Sequence, residues 1–126
     1  HMHGFLDGAL CSSCDTRWPA PLVMSKTQQC PSCNAQKTRP DIVWFGEMPY
    51  HMETFYHHLS EADLFVAIGT SGNVYPAAGF VQEAALSGAD TLELNLGASA
   101  TISQFAQAEF GKASEIVPNW VETILK

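Results

Sequence analysis

Apolar positions after residue 40 fall either in short continuous runs or at helical spacings. The run Leu64–Ile68 is apolar without alternation, which is typical of a strand buried on both faces of a parallel sheet. Apolar residues after Pro49 recur at i, i+3, i+4 and i+7, which predicts a helix face formed by Met52, Phe55, Tyr56 and Leu59. By the same reasoning we predict strands at 42–45, 64–68, 91–96 and 115–117, and helices opened by Pro49, Pro76, Thr101 and Pro118, with Gly88 ending the second helix.

This order of elements defines the expected fold class. Strands that alternate with helices imply right-handed crossovers and a parallel sheet with helices on its faces. A doubly wound sheet usually needs two such halves, and the pattern supplies one. We therefore expect an α/β protein with a partial doubly wound, Rossmann-like parallel sheet over residues 40–126. Residues 1–39 are rich in Ser, Thr, Gln and Pro, show little periodicity, and are expected to form a separate N-terminal module.

All four cysteines lie inside that module, in a C-x2-C-x15-C-x2-C pattern. Each C-x-x-C pair can deliver two thiolates, and zinc takes four such ligands at tetrahedral corners. Two disulfides are the alternative, which a reducing compartment disfavours. A closed shell of four thiolates leaves no position for water, so we predict a structural zinc site and not a catalytic one. The predicted ligands are Cys11, Cys14, Cys30 and Cys33.

Charge and composition exclude several classes of function. Six Lys and Arg against thirteen Asp and Glu give a net charge of −7, which disfavours nucleic acid as a partner. Apolar residues make up 46 % and charged residues 15 % of the chain, a balance that indicates a folded protein and not a disordered one. No segment reads as a membrane span or a signal peptide, so we expect a soluble, cytoplasmic protein.

In an open α/β sheet, ligands bind beyond the carboxyl ends of the strands, and two predicted strands end in polar loops. Gly69-Thr70-Ser71 could hold a phosphate or ribose through hydroxyls and free amides, and Asn95-Leu96-Gly97 offers an amide side chain for a ribose hydroxyl. Ordinary turn chemistry is the better explanation of either tripeptide taken alone, since Gly, Ser, Thr and Asn dominate turns. His51, His57 and His58 could suggest a second metal site, but a solvated helix face is the better interpretation.

Taken together and in order, the motifs resemble those of the sirtuins, which are NAD-dependent protein deacylases of the silent-information-regulator type. The resemblance covers essentially the whole chain and is closest to the bacterial branch that also contains desuccinylase-like members. Its V-W-F-G-E run is highly specific. The matching segments are His3-Gly4, the two C-x-x-C pairs, R-P-D-I-V-W-F-G-E at 39–47, G-T-S at 69–71, V-Y-P-A at 74–77 and E-L-N at 93–95.

The resemblance implies a role for each matching residue. His3 would be the general base that takes a proton from a ribose hydroxyl, a task that suits a side chain titrating near neutrality. An acyl-lysine peptide would add as a strand along a substrate-binding segment made of Val43, Trp44, Phe45, Gly46 and Glu47. Contacts to NAD would come from Gly69, Thr70 and Ser71 at the phosphates and ribose, Asn95 and Leu96 at the adenosine ribose, and Ala113 at the adenine.

The resemblance also implies the reaction, in which the acyl group moves from lysine to ADP-ribose and nicotinamide is released. Acetyl and succinyl groups both remain open as the acyl chain. A sirtuin's glycine-rich phosphate loop, cofactor-loop arginine and Gln-Asn-x-Asp segment do not occur here, so we expect the chain to be inactive alone and to need a complementary N-terminal half or a second copy. The alternative function is a non-catalytic zinc-ribbon module that binds a protein partner.

Overall fold

The computed structural model describes all 126 residues, which form two compact units, His1–Met52 and Glu53–Lys126. The first unit contains strands only, apart from the first residue of helix α1. The second contains three strands and the helices. The elements are β1 Gly4–Cys11, β2 Arg17–Pro19, β3 Thr38–Ile42, α1 Met52–Glu61, β4 Leu64–Ile68, α2 Phe80–Leu86, β5 Asp90–Asn95, β6 Gln107–Phe110 and α3 Ala113–Ile124, with short 3-10 turns at Ala77–Gly79 and Ile102–Gln104.

The first unit is an antiparallel sheet in the order β2-β1-β3. Strand β1 pairs with β2 through Ala9 and Trp18, and with β3 through Leu10 and Arg39, and its register against β3 shifts between Gly4 and Ala9. The buried end of β1 runs directly into the first cysteine, and Ala9 and Cys11 are fully buried. The sheet therefore carries the metal-binding loops at one end of β1 and the His3 segment at the other.

The second unit is a parallel sheet in the order β4-β5-β6. The pairing along β5 is regular, with Val66 of β4 opposite Leu92 and Leu94 opposite Glu109 of β6. Strand β5 is central and contributes most of the buried strand residues, including Leu92 and Leu94. The predicted Rossmann-like α/β arrangement is confirmed in this unit, although β4 lies at the sheet edge and its two end residues, Leu64 and Ile68, are close to half exposed.

Two of the predicted helices occur where their apolar spacing places them. Helix α2 buries Phe80, Val81 and Ala84, and its end is followed by Gly88 at φ +96, a left-handed conformation that glycine adopts without penalty. The predicted face of α1 packs on it, since Phe55 and Tyr56 each place their rings 5.9 Å from the ring of Phe80. These contacts connect α1 with α2 in the core of the second unit.

The predicted strand at 42–45 is wrong except for its first residue. Strand β3 ends at Ile42 and belongs to the antiparallel sheet, and the chain then turns, with the Glu47 N–H bonded to the Trp44 carbonyl at 3.0 Å and Gly46 at φ +88. Helix α1 also begins at Met52 and not at Pro49, because His51 adopts φ +59, which no helix accommodates. A short apolar run that ends at a turn residue can belong to a strand or to a loop, and the sequence pattern alone does not distinguish the two.

The predicted strand at 115–117 is also wrong, because those residues lie inside helix α3. Strand β6 occupies the preceding segment, Gln107–Phe110, whose exposed residues give no apolar signal. Ile116 and Trp120, and likewise Val117 and Val121, recur at i and i+4, and all four are half-buried on one side of α3. Helical spacing therefore outweighs the β-branched composition of the run. Pro118 lies within α3 and does not open it.

Candidate metal centre and candidate catalytic and nucleotide-binding loops

The four cysteine sulfurs converge in the first unit. All four ligand atoms lie within 4.8 Å of one another, with Sγ–Sγ distances of 3.7 Å for Cys11 and Cys33 and 3.6 Å for Cys14 and Cys30. Four thiolates around zinc at about 2.3 Å would lie about 3.8 Å apart at tetrahedral corners. All four cysteines are free, so the disulfide alternative is not observed. The donor set and its spacing fit a closed zinc site.

The two C-x-x-C loops fold in the same way, which explains how they present their sulfurs together. The N–H two residues after each leading cysteine points at its sulfur, from Ser13 to Cys11 and from Ser32 to Cys30, both at 3.4 Å. One residue after each pair, Asp15 and Asn34 adopt φ near +60, and each donates its N–H to the carbonyl of the leading cysteine. Asp and Asn tolerate this left-handed conformation better than most residues.

The hydrogen bonds around Cys14 favour its thiolate. The Thr16 hydroxyl lies 3.2 Å from the Cys14 sulfur, and this hydrogen bond is the main cause that lowers the pKa of the Cys14 thiol to about 6. The pKa of the Cys33 thiol moves the other way: the Ala35 N–H lowers it, but its contact with Cys14 helps to raise it to about 12. A thiolate is the form that binds metal, so Cys14 is the more readily ionised sulfur of the two. The four cysteines are the group in the chain whose side chains lie close enough to hold an ion, and the mid-chain histidines are not part of it.

His3 lies at the start of β1, where the backbone is held by two segments of the same unit. Its carbonyl accepts the Val43 N–H at 2.9 Å, and the neighbouring Met2 carbonyl accepts the Tyr50 N–H at 2.8 Å. Gly4 adopts φ +75, and a Cβ placed there would meet the Asp41 carbonyl oxygen at 1.9 Å. The glycine after His3 therefore allows β1 and β3 to approach closely, which sets where the imidazole leaves the backbone.

We call residues 43–47 the substrate loop. Arg39 holds it, because the guanidinium donates to both Glu47 carboxylate oxygens at 2.6 and 2.7 Å and lies 4.4 Å from the Trp44 ring centre. The Trp44 N–H also donates to Glu47, at 3.0 Å. These bonds, chiefly those from Arg39, lower the pKa of Glu47 to about 2. Both carboxylate oxygens of Glu47 are thus occupied by hydrogen bonds within the first unit. Phe45, in contrast, is fully exposed.

A polar cluster that the sequence analysis missed lies beside His3. Asp41 is buried, and its carboxylate accepts from Arg17 Nε at 3.0 Å and from the Tyr50 hydroxyl at 2.7 Å. The interaction of Arg17 with the Tyr50 side chain is the main cause that raises the pKa of Arg17. The cluster lines an open cavity of about 600 Å³ together with Gly4. Arg39 and Asp41 belong to the quoted R-P-D motif, so that motif was the available signal.

We call the loops at 69–72 and 95–101 the nucleotide edge, since both follow strands of the parallel sheet in the second unit. They are bonded to each other: Asn95 Nδ2 donates to the Thr70 carbonyl at 2.6 Å, and the Ala100 N–H donates to the Ser71 carbonyl at 3.0 Å. Gly69 adopts φ +64 with open space where a Cβ would stand, and its own N–H donates to the Leu94 carbonyl at 3.0 Å. The two loops for which the sequence analysis predicted phosphate and ribose contacts are therefore joined by hydrogen bonds.

The two remaining predicted nucleotide residues lie at the same edge of the sheet. Leu96 follows β5 and is largely exposed, and its N–H donates to Asn95 Oδ1 at 2.9 Å. Ala113 begins helix α3, two residues after Gly111, whose N–H donates to the Asn95 carbonyl at 2.9 Å. The structure therefore groups Gly69, Thr70, Ser71, Asn95, Leu96 and Ala113 around the carboxyl ends of β4, β5 and β6.

Glu93 is a further residue of this edge, to which the sequence analysis gave no role although it quoted the E-L-N segment at 93–95. It lies in the middle of β5 with no exposed surface, and one of its oxygens, Oε1, accepts from Asn95 Nδ2 at 3.0 Å and from the Ser99 N–H at 3.1 Å. The other oxygen, Oε2, is buried without a hydrogen-bond partner. A glutamate in the centre of a buried strand, between Leu92 and Leu94, was the signal that could have revealed it.

Comparison with known proteins identifies the class to which this chain is related. The model of the Sir2 family matches residues 1–76, which is more than half of the chain. An NAD-dependent protein deacylase from Leishmania major is 51% identical over 100% of this chain and 53% of its own length. The NAD-dependent protein deacylase of Escherichia coli strain K12 is 48% identical over 100% of this chain and 46% of its own length.

Solved structures agree with this assignment. The structure of a Sir2 homologue in complex with NAD superposes with a TM-score of 0.87 and 26% identity, over 98% of this chain and 50% of that one. A Sir2 structure with a p53 peptide and NAD+ gives a TM-score of 0.82 and 26% identity, over 97% of this chain and 53% of that one. The chain belongs to the Sir2 family, the sirtuins, and it spans about half the length of the curated relatives it matches.

None of the helices has both the length and the apolar character that crossing a membrane requires.

Proposed function

We propose that this chain is the part of an NAD-dependent protein-lysine deacylase that supplies its general base, its zinc site, one side of its acyl-lysine site and its adenosine-binding edge. The observation that supports this most directly is the hydrogen bond from the Val43 N–H to the His3 carbonyl at 2.9 Å. It joins the proposed base to the proposed substrate loop within one compact unit. Relatives that are about half identical to this chain are named NAD-dependent protein deacylases.

In this proposal His3 accepts a proton at its imidazole from a hydroxyl of the NAD ribose. The side chain is exposed, as a group must be that meets a substrate supplied from outside the chain. Neutral imidazole is a suitable base because its ordinary pKa lies near neutrality. Gly4 fixes the backbone behind the imidazole, since the φ of +75 and the close approach to Asp41 leave no room for a side chain.

The substrate loop would bind an acyl-lysine peptide through its backbone. Phe45 and Gly46 would supply the main-chain groups, because no other residue of the chain bonds to their N–H groups, while Val43 and Trp44 would supply apolar surface. Main-chain pairing gives affinity without demanding a sequence. Glu47 contributes indirectly, because both of its oxygens are bonded to Arg39 and one of them also to Trp44. Solved relatives include Sir2 enzymes with a p53 peptide and with a myristoylated histone peptide, and we extend peptide binding to this chain on that basis.

NAD would supply the acyl acceptor and the nicotinamide leaving group. The nucleotide edge would hold its phosphates and adenosine ribose through Gly69, Thr70, Ser71, Asn95 and Leu96, with Ala113 beside the adenine. The hydrogen bonds between the loops at 69–72 and 95–101 support this placement, because they orient both loops before a ligand arrives.

Two further parts of the proposal concern organisation. We assign the histidine segment and the zinc module to residues 1–39, with Cys11, Cys14, Cys30 and Cys33 holding a zinc that stabilises the fold. We place the Rossmann-like part within residues 40–126, where the second compact unit starts at Glu53. We also propose that a complementary N-terminal half, or a second copy, completes the sheet beside β4. Strand β4 pairs only with β5, and its Leu64 and Ile68 are close to half exposed, so its other edge is free.

A chimera tests the deacylase proposal. These 126 residues would replace the matching part of the Escherichia coli deacylase, which aligns with the whole chain at 48% identity. We expect nicotinamide release from NAD that depends on an acetyl-lysine peptide and that is lost in His3→Ala. His57→Ala, an exposed histidine outside the proposed site, is the matched control and should retain the activity. A folded chimera that shows no peptide-dependent release would contradict the proposal and favour a non-catalytic binding module.

A further inference from the structure

Glu93 is a fully buried carboxylate that has no cationic partner. None of the ion pairs in the chain includes it, and its two donors are the side-chain amide of Asn95 and the backbone N–H of Ser99, both on Oε1. Its Oε2 is buried and has no partner. Burying a carboxylate this way costs free energy that an apolar residue would not cost, so packing alone does not explain this choice of residue.

The contacts of Asn95 determine which way its amide faces. The Thr70 carbonyl and the Glu93 carboxylate, at 2.6 and 3.0 Å, can only accept, so the amide nitrogen must point toward them. The Leu96 N–H, at 2.9 Å, can only donate, so the amide oxygen must point toward it. Both N–H groups of the side chain are therefore used, and the oxygen retains one free lone pair.

These donors and acceptors define what Asn95 can offer a ligand. The only hydrogen-bonding capacity left on the side chain is that of an acceptor at Oδ1, which suits a hydroxyl group and not a carbonyl or a phosphate oxygen. Asn95 is only partly buried, so a ligand can reach it. Glu93 also accepts the Ser99 N–H of the following loop. A single side chain therefore fixes both the orientation of the Asn95 amide and the position of this loop.

We propose that Glu93 is a positioning residue of the nucleotide edge, which holds Asn95 so that its Oδ1 accepts a hydrogen bond from a ribose hydroxyl. The inference rests on the proposed NAD function. It adds which residue orients the ribose contact, and that the ribose hydroxyl donates this hydrogen bond to Asn95. Glu93 itself touches no ligand and acts through Asn95. An acceptor oxygen at this position keeps the Asn95 amide from turning over, and Glu93 Oε1 supplies it.

The test uses the isotope-labelled chimera with the Escherichia coli deacylase, which supplies the complementary half, with ADP-ribose as the probe and the side-chain amide resonances of Asn95 as the reporter. Three variants separate the contributions: Glu93→Met keeps similar bulk without an acceptor, Glu93→Gln keeps an acceptor oxygen, and Asp90→Asn removes an exposed carboxylate from the same strand. We expect Glu93→Met to weaken ADP-ribose binding on the order of tenfold, the effect of one lost hydrogen bond. We also expect it to free the Asn95 amide protons, whereas Glu93→Gln and Asp90→Asn should stay close to wild type.

Each outcome has a distinct meaning. If Glu93→Met leaves the affinity for ADP-ribose unchanged, the proposed role of Glu93 is overturned, but the nucleotide site is not. Failure of the chimera without further substitution to bind ADP-ribose overturns the nucleotide edge itself, and this inference with it. If Glu93→Met does not fold, Asn95→Asp serves instead, because an aspartate cannot donate to Glu93 or to the Thr70 carbonyl. It should lose binding to a similar degree, and undiminished binding of ADP-ribose by Asn95→Asp would overturn the proposal.

Discussion

Replacing Gly4 with alanine should destabilise the first unit through two effects that can be separated. The φ of +75 costs an L-residue roughly 1–2 kcal/mol. The new Cβ would also lie 1.9 Å from the Asp41 carbonyl oxygen, where real Cβ contacts essentially never fall below 3.0 Å, so β1 and β3 must move apart by about 1 Å. Overpacking of this kind costs roughly 1–3 kcal/mol, and we therefore expect Gly4→Ala to lose roughly 2–5 kcal/mol of unfolding free energy.

Gly46 provides the matched control, because its φ is +88 and a Cβ there would meet nothing within 4 Å. Gly46→Ala should therefore show the conformational cost alone, roughly 1–2 kcal/mol. The assay is urea unfolding followed by tryptophan fluorescence in a Trp120→Phe background, so that the signal comes from Trp18 and Trp44 in the first unit. If Gly4→Ala loses no more stability than Gly46→Ala, close approach of the strands is not the reason for a glycine after His3.

Three further outcomes are expected. Removing zinc with a chelator, or Cys14→Ala, should unfold the two C-x-x-C loops, seen as loss of amide-exchange protection around Asp15 and Asn34, with Ser12→Ala as the control that keeps it. The pKa of Glu47 falls from 4.5 to about 2, so its stabilisation of the substrate loop is complete above pH 4.5 and is lost as the pH falls toward 2. A pH titration followed at the backbone amide resonance of Trp44 should show this transition. Glu47→Gln should abolish the transition, whereas Glu53→Gln should not. Leu94→Ala, at a fully buried position of β5, should cost about 2–5 kcal/mol by thermal unfolding, and a loss below about 1 kcal/mol would contradict the assigned core.

The parts of the fold that could be predicted are those where one local pattern dominates. The C-x2-C-x15-C-x2-C spacing is sufficient because two short loops and one metal define the geometry. The continuous apolar run at 64–68 was likewise sufficient to predict strand β4, and the apolar spacing of residues 52–59 was sufficient to predict helix α1. The polar loops after β4 and β5 were predicted as the ligand edge because parallel strands place their carboxyl ends together.

What could not be predicted depends on contacts between distant segments. The antiparallel sheet was missed because β1 and β3 are far apart in the sequence and pair with a register shift that no local pattern records. The apolar run at 43–45 forms a loop because Arg39 and Glu47 tie its ends, and the run at 115–117 is helical because its i, i+4 neighbours pack on one side. Asp41 and Glu93 lie in the quoted R-P-D and E-L-N segments, but their contacts depend on burial, which no local pattern records.

Transfer of the acyl group to the nucleotide is the most direct measurement of the central claim. The chimera with the Escherichia coli deacylase would be incubated with NAD and a peptide whose lysine carries a carbon-13-labelled acetyl group, and the nucleotide products would be weighed by mass spectrometry. We expect ADP-ribose that bears the labelled acetyl group, in an amount equal to the nicotinamide released, and neither product in His3→Ala. Labelled free acetate with NAD left intact, or ADP-ribose without the label, would contradict the assignment as an NAD-dependent deacylase.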